Sequence, residues 1–491
     1  MRYAAFGLLL SLGSVLTQAQ VAPQVVPIER TRVSPFKHVV VVFQENRTPD
    51  NLFQGLCVPP YGTAGSCNTK PGYGQYNIQT SDWLDKSSAG GVIQPMPVLL
   101  ANAYDLDHSH TAFRRMCDTD PSGQCKMDGA SGVGCGGTCL SQPQFRYVLN
   151  SQGRLNPYLD LATQYGWANY MFQTNQGPSF PAHQYIFGGT SAPSAADDAA
   201  GIFASENLAN TGISGTQATA GCIAPAGTLV QLVGPSGIED PKQKIYPCFE
   251  HVTLPDVLPP DVTWRYYAPS AGSIWTAPDA IQHICQSTGQ GGQCVGQAWD
   301  KNVDLKPADV LHDIASCNLR SLSWVIPTGA NSDHANTNDG GGPSWVAAIV
   351  NAIGNSKTCD NGAGYWKDTA ILITWDDWGG WYDHEPPAIL NYPQGGYQYG
   401  FRVPMLVVSA YTPKHYVNNI QHDFGSILRF IENDFGIREG ILNFADARAR
   451  SDLFAFFDFT LPPRQFQTIN ATLPASFFVN DKRKATDPDD Q

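Results

Sequence analysis

The chain has 491 residues, of which 15% are charged, and a formal net charge of −13. That balance, without a basic run, excludes nucleic acid as the main partner, because nothing could neutralise a phosphate backbone. The 47 glycines, 36 prolines and 11% aromatic residues exclude a coiled coil or a disordered chain and suit a loop-rich enzyme with a large core.

The N-terminus places Arg2 before an apolar run that ends near Leu16, with small residues at Thr17-Gln18-Ala19. This pattern predicts a signal peptide over residues 1–19 and a secreted or periplasmic mature protein, 20–491. No other segment offers ~20 uninterrupted apolar residues, so no integral membrane span is expected. Twelve cysteines in an exported chain predict disulfides. Cys57/Cys67, Cys117/Cys125, Cys135/Cys139 and Cys285/Cys294 are close pairs in loop-like sequence; the full connectivity stays open.

In chain order, Phe36 to Phe43 is an apolar, β-branched run that predicts a buried, central, parallel strand. It leads straight into Gln44-Glu45-Asn46-Arg47. In an open α/β sheet ligands sit beyond the carboxyl ends of strands, which is where Glu45 and Asn46 fall. A solvated turn or helix cap fits the same residues, and the Asn46-Arg47-Thr48 sequon is read as chance. Residues 56–103 wander through Gly, Pro, Ser and Asn. Asp105-Leu106-Asp107-His108-Ser109-His110 then sets histidines among acids, as a site or as an exposed turn. Residues 117–140 read as a stapled loop.

Leu155 to Tyr165 has helical spacing, and Ala168 to Gln173 reads as a strand. Gly177-Pro178 closes it, and Ser179 stands where a helix begins, with Pro181 suited to its first turn. A hydroxyl there faces free backbone N–H groups and can serve an oxyanion or phosphoryl group; on local evidence alone a plain N-cap is the better reading. Residues 191–320 change to Ala, Gly, Ser and Pro with interspersed strands such as 261–267, and are read as a lid-like insertion. Ser321 to Pro327 returns to core strand, followed by Asp333-His334 and a helical pattern over 343–353. Ile371 to Trp375 is a further buried strand that delivers Asp376-Asp377 and then Gly379-Gly380. Adjacent carboxylates repel unless a positive charge joins them, and a divalent metal is one answer; an acidic turn is the other. Trp375, Trp378 and Trp381 would dry the site and strengthen its electrostatics. Phe401 to Ser409 is another buried strand, and Asp423 to Glu432 an amphipathic helix. The tail after about Asn480 is charged.

Taken together, Gln44-Glu45-Asn46-Arg47, Asp105 to Ser109, Lys126-Met127-Asp128-Gly129, Gly177-Pro178-Ser179, Asp333-His334, Thr374 to Gly380, Tyr382-Asp383-His384 and Arg402-Val403-Pro404 resemble a known group. It is the bacterial phosphoesterase family that includes phosphatidylcholine-type phospholipase C and acid phosphatase A-like enzymes, within the alkaline phosphatase-like superfamily. The resemblance covers about residues 36 to 440. It implies an α/β/α sandwich with a mostly parallel central sheet; the insertion read from composition at about 191–320 is expected to rest over its ligand edge. It also implies that Glu45, Asn46, Asp376, Asp377 and Ser179 hold a divalent metal (Ca, Mg, Mn or Zn), that Ser179 is the nucleophile, and that His108 and His334 contact phosphoryl oxygens or protonate the leaving group. His384 would support the acids indirectly. The chain departs from the family in carrying Thr48-Pro49-Asp50-Asn51 where Ser-Phe-Asp-His is common. Ser rather than Thr at 179, and a chain that ends soon after the core, point to the shorter phosphatase-like type.

The expected function is a metal-dependent phosphoric ester hydrolase working through a phosphoseryl intermediate on a small phosphate ester or phospholipid headgroup. A histidine of ordinary pKa ~6.5 as leaving-group acid suits mildly acidic conditions. Phospholipase C is the alternative within enzymes, and an exported, non-catalytic binder of phosphorylated ligands the alternative outside them. A Ser-His-Asp lipase would need a Gly-x-Ser-x-Gly elbow, and Gly177-Pro178-Ser179-Phe180-Pro181 lacks the second glycine.

Overall fold

The computed structural model describes residues 34–206, 209–210, 220–388 and 399–485; the expected signal peptide and mature start near Gln20 lie outside them. β1 (His38–Gln44), β2 (Gly166–Phe172), β3 (Trp264–Tyr267), β4 (Val303–Asp304), β5 (Leu322–Val325), β6 (Thr369–Trp375), β7 (Met405–Val408) and β8 (Tyr416–Asp423) form one sheet, in the order β4-β3-β5-β1-β6-β7-β2-β8. Its strands run parallel to their neighbours except β7, which is antiparallel to both β6 and β2. β5, β6 and β7 are buried at every position, and β1 at all but His38. Their unbroken apolar runs are what a sheet covered on both faces selects.

The helices that matter for the site are α1 (Pro49–Leu52), α2 (His110–Cys117), α3 (Asn156–Gln164), α4 (Ser179–Gly188), α5 (Gly342–Gly354) and α6 (Phe424–Asp434). Successive strand residues face opposite sides of a sheet. The Phe43 ring lies 5.4 Å from His183 of α4. Trp375, which pairs with the next residue, Gln44, lies 5.1 Å from Tyr158 of α3. α3 and α4 therefore cover opposite faces; α5 packs against α3 and α6 against α4. The result is the expected α/β/α sandwich.

Residues 191–320 divide in two. Phe203–Ala204, Ala209–Asn210, Thr228–Val233 and Glu239–Ile245 form a separate small antiparallel sheet. β3 and β4, from the same span, belong to the main sheet, where β3 pairs with β5. A short strand among Gly, Ser and Pro carries no mark of the sheet it joins, because its partner lies far along the chain.

The four close cysteine pairs are bonded, together with Cys222–Cys248 and Cys317–Cys359. No cysteine is left free. Six such bonds belong to an oxidising compartment. Among the described residues, no helix is long and apolar enough to cross a membrane.

A buried ion network ties β7 to the first loops. Arg402 donates from Nε to Asp383 Oδ1 at 2.9 Å and from Nη2 to Asp383 Oδ2 at 3.0 Å. Its Nη1 reaches the carbonyls of Asn77 and Asn169 at 2.9 and 2.8 Å. His384 belongs to this network and not to the surroundings of Asp376 and Asp377: Nδ1 lies 2.7 Å from Asp50 Oδ2, and Nε2 lies 2.9 Å from Asn77 Oδ1. Removing one partner of a fully buried pair leaves an uncompensated charge, which costs about 3–5 kcal/mol. Arg402→Met is expected to lower unfolding free energy in urea by about that amount, with part of it recovered in Arg402→Met/Asp383→Asn.

Candidate functional site

β1 and β6 run parallel with Gln44 opposite Trp375, and the Asp376 N–H donates to the Gln44 carbonyl at 3.0 Å. This register places Glu45 and Asp376 side by side at the carboxyl edge of the sheet. Asn46 takes φ +61°, a left-handed conformation that Asn tolerates better than most residues. Its N–H donates to Asp376 Oδ1 at 3.1 Å, and the next N–H, of Arg47, to the Asp377 carbonyl at 3.1 Å. Each strand end thus fixes the other. Gly379 and Gly380 close the turn at φ +62° and +75°. A Cβ on Gly379 would stand 2.4 Å from the Asn46 carbonyl oxygen, and one on Gly380 2.3 Å from Leu106 Cβ. The two glycines let the acidic loop lie directly on Asn46 and on the segment that carries His108.

From β2, the chain turns through Thr174 to Pro178 into α4. Pro178 is the N-cap and supplies no side-chain hydrogen bond, so Ser179 is the first helical residue and not the cap. Its Oγ donates to Asp377 Oδ2 at 3.3 Å. Glu45, Asn46, Ser179, Asp376 and Asp377 are all 0% exposed. The three tryptophans expected to dry the site are equally buried. Trp375 Nε1 donates to Asp333 Oδ2 at 3.0 Å, and the Arg47 guanidinium lies 4.9 Å over the Trp381 ring.

His108 and His334 meet at this edge with ring centroids 5.9 Å apart. His108 Nδ1 lies 2.7 Å from the Leu106 carbonyl and takes the role of donor to it. Its Nε2 then accepts from Asn46 Nδ2 at 3.2 Å, which fixes which amide atom of Asn46 faces the ring. His334 Nδ1 lies 2.6 Å from the Ala335 carbonyl, and its Nε2 lies 4.0 Å from Asp105 Oδ2. Arg47 holds the preceding residue by donating from Nε and Nη2 to the Asp333 carbonyl at 2.9 and 2.7 Å. Desolvation pushes the Asp333 carboxyl up to about 6, against the pull of Arg47. His110, by contrast, starts α2 away from the acids, 3.0 Å from Glu239 Oε1 and 3.3 Å from Gln176 Oε1.

One residue that sequence reasoning passed over stands among the acids. His183, on α4, has Nε2 3.3 Å from Glu45 Oε1 and 3.8 Å from Asp376 Oδ2. Burial depresses its pKa to about 4. It sits in an apolar helix, and its only sequence signal is its spacing of four from Ser179, which sets both on one helix face. Trp275, from the 191–320 span, completes the wall with its ring 6.3 Å from His183 and 6.2 Å from His334. A cavity of about 410 Å³ opens beside the site, lined by Asp107 and Ser109 on either side of His108, by Pro178 next to Ser179, and by Gly136 and Glu206.

The donor set fits a divalent cation. Three carboxylates, an amide and a hydroxyl are buried together at this sheet edge, the hard-ligand chemistry of such ions. Buried polar atoms in folded proteins nearly always have partners, yet Asn46 Oδ1 and Asp376 Oδ2 have no hydrogen-bond partner among the described residues. Glu45, His183 and Asp376 each offer one ligand atom, all within 4.8 Å of one another.

A methyl group at position 379 is expected to force the two strand ends apart. Gly379→Ala should cost about 2 kcal/mol or more in unfolding free energy, from the left-handed backbone and the overlap with Asn46 together, and should weaken divalent-ion binding in calorimetry.

Residues 36–438 match the Phosphoesterase family. The non-hemolytic phospholipase C of Pseudomonas aeruginosa is 25% identical over 204 residues, covering 36% of this chain and 29% of that protein. Phospholipase C B of Mycobacterium tuberculosis is 27% identical over 182 residues, 32% of this chain and 33% of that protein. The non-specific phospholipase C1 of Arabidopsis thaliana is 26% identical over 140 residues, 24% of this chain and 25% of that protein. The chain thus spans a third or less of the length of these curated relatives. Among solved structures, a protein of the alkaline phosphatase superfamily from Vibrio parahaemolyticus superposes with a TM-score of 0.27 at 10% identity, covering 57% of this chain and 60% of that one. Likeness at that level carries no functional weight. The family match spans most of the chain, and by it the protein is a member of the Phosphoesterase family.

Proposed function

We propose that this protein is an exported, metal-dependent phosphoric ester hydrolase of the acid phosphatase-like type, in which Ser179 is the nucleophile. The observation that carries the proposal is the meeting of Ser179, at the first turn of α4, with the acids of two parallel strand ends: its Oγ is 3.3 Å from Asp377 Oδ2. Glu45, Asn46, Asp376, Asp377 and Ser179 would hold the ion. A divalent ion bound there supplies positive charge to phosphoryl oxygens and lowers the pKa of a hydroxyl it contacts.

The chain's own residues provide the remaining parts. The Ser179 proton leaves along its hydrogen bond to Asp377. Oγ forms the bond to phosphorus as the ester P–O bond breaks, giving a phosphoseryl enzyme. The uncapped N–H groups of α4 face the phosphoryl oxygens and favour their charge. His334 is the better placed leaving-group acid, because its Nε2 is buried without a hydrogen-bond partner among the described residues and can carry a proton to the departing alkoxide. His108 acts mainly by orienting Asn46. Water then attacks phosphorus and gives one proton to His334 as the P–Oγ bond breaks; the proton held at Asp377 returns to Oγ, and phosphate leaves. The cavity beside Pro178 and Asp107 admits the ester. The disulfides and the N-terminal pattern of Met1 to Ala19 support export, and residues 191–320 supply Trp275 as one cover of the site.

Phospholipase C activity is a second reading, favoured by the phospholipase C relatives from Pseudomonas, Mycobacterium and Arabidopsis. Hydrolysis of a chromogenic phosphomonoester and a chromogenic phosphocholine ester, side by side, separates the two. Turnover of the monoester is expected to dominate with divalent metal added, and Ser179→Ala should lower it by at least ~10³-fold. No turnover of either compound at any pH, or full activity in Ser179→Ala, would contradict the proposal. Asp376→Asn/Asp377→Asn should leave less than stoichiometric metal by elemental analysis; retention of one ion per chain would contradict the ligand set.

A further inference from the structure

We infer that His183 is itself a ligand of the ion, through Nε2, so that this chain's site is a mixed nitrogen and oxygen site and not an all-oxygen one. The inference rests on the metal-dependent reading above and deepens it. The tautomer follows from Tyr266, on β3. The Tyr266 hydroxyl donates to the Trp275 carbonyl at 2.8 Å, which uses its one proton. Its oxygen then accepts from the Ala277 N–H at 3.4 Å and from His183, whose Nδ1 is also 3.4 Å away. With the proton on Nδ1, Nε2 carries a lone pair.

That lone pair points at Glu45 Oε1 at 3.3 Å and toward Asp376 Oδ2 at 3.8 Å, an oxygen with no hydrogen-bond partner among the described residues. A nitrogen lone pair set against two carboxylate oxygens in a dry pocket is repulsive unless a cation lies among them. Metal-bound histidines usually donate their second nitrogen to a fixed acceptor, which sets ring and tautomer; Tyr266 is that acceptor here. α4 makes the arrangement rigid: all ten of its residues are buried, and Ser179 and His183 sit one turn apart on it. One helix thus carries both nucleophile and nitrogen ligand. Imidazole suits Zn²⁺ and the later transition ions better than Ca²⁺ or Mg²⁺, so a nitrogen ligand shifts the site toward transition metals, of which Mn²⁺ is the paramagnetic probe.

The test is electron spin echo envelope modulation on the full chain loaded with Mn²⁺ alone. Wild type is expected to bind one Mn²⁺ and to show ¹⁴N modulation. His183→Gln should lose that modulation while still binding Mn²⁺, with affinity lowered by ~10–100-fold and with its preference for Mn²⁺ over Ca²⁺ reduced. Should His183→Gln fail to fold, His108→Gln and His334→Gln decide: modulation retained in both supports His183, and modulation lost in either overturns it. Wild type that binds one Mn²⁺ without ¹⁴N modulation overturns the ligand role and leaves the functional proposal standing. Wild type that binds no Mn²⁺, Co²⁺ or Zn²⁺ overturns both.

Discussion

Three carboxylates brought together in a dry pocket constrain everything else in this molecule. Glu45, Asp376 and Asp377 are wholly buried, and like charges gathered away from water repel unless a positive charge joins them. The fold forces the meeting: β1 and β6 are adjacent, parallel and in a register that ends both strands together. Asn46 in its left-handed conformation, Gly379 against the Asn46 carbonyl and the Trp375 to Trp381 wall all hold the acids where they repel. A cation among them would offset that repulsion, and Asn46 Oδ1 and Asp376 Oδ2 have no hydrogen-bond partner among the described residues.

The catalytic proposal follows from that constraint. α4 enters the sheet edge from β2 and sets Ser179 beside Asp377, with no side chain capping the helix. His334 is held from behind through Asp333, Arg47 and Tyr158, whose hydroxyl donates to Asp333 Oδ2 at 2.8 Å. These contacts belong to rigid elements, which is how a site keeps its reacting groups in place. The Arg402 network is a separate support. It braces the loop after Asp383 against β7 and leaves His384 with Asp50, outside the acidic cluster.

Much of this could be read in advance because its signals are local. The β-branched runs over Val39 to Phe43 and Ile371 to Trp375 specify buried strands, and the acids that follow them fall at strand ends by chain direction alone. Helices expected over 155–165 and 343–353 appear at Asn156–Gln164 and Gly342–Gly354. Short-range disulfides were legible for the same reason, whereas Cys317–Cys359, with a separation of 42, was not. Long-range information was hidden. Nothing near Trp264–Tyr267 says that it joins the main sheet, so it was read as part of an insertion. Nothing near His384 says that Asp50 is its partner. His183 was missed because a lone histidine in an apolar helix reads as core until the opposite strand ends are placed against it.

The central claim is that Ser179 takes the phosphoryl group. Acid quenching of the enzyme during turnover of a phosphomonoester, followed by peptide mass spectrometry, tests it most directly. The account predicts phosphate covalently held on Ser179, in the peptide that spans Gly177 to Phe187. Phosphate on another residue, or turnover with no covalent adduct under conditions that trap acid-stable phosphoserine, would contradict it.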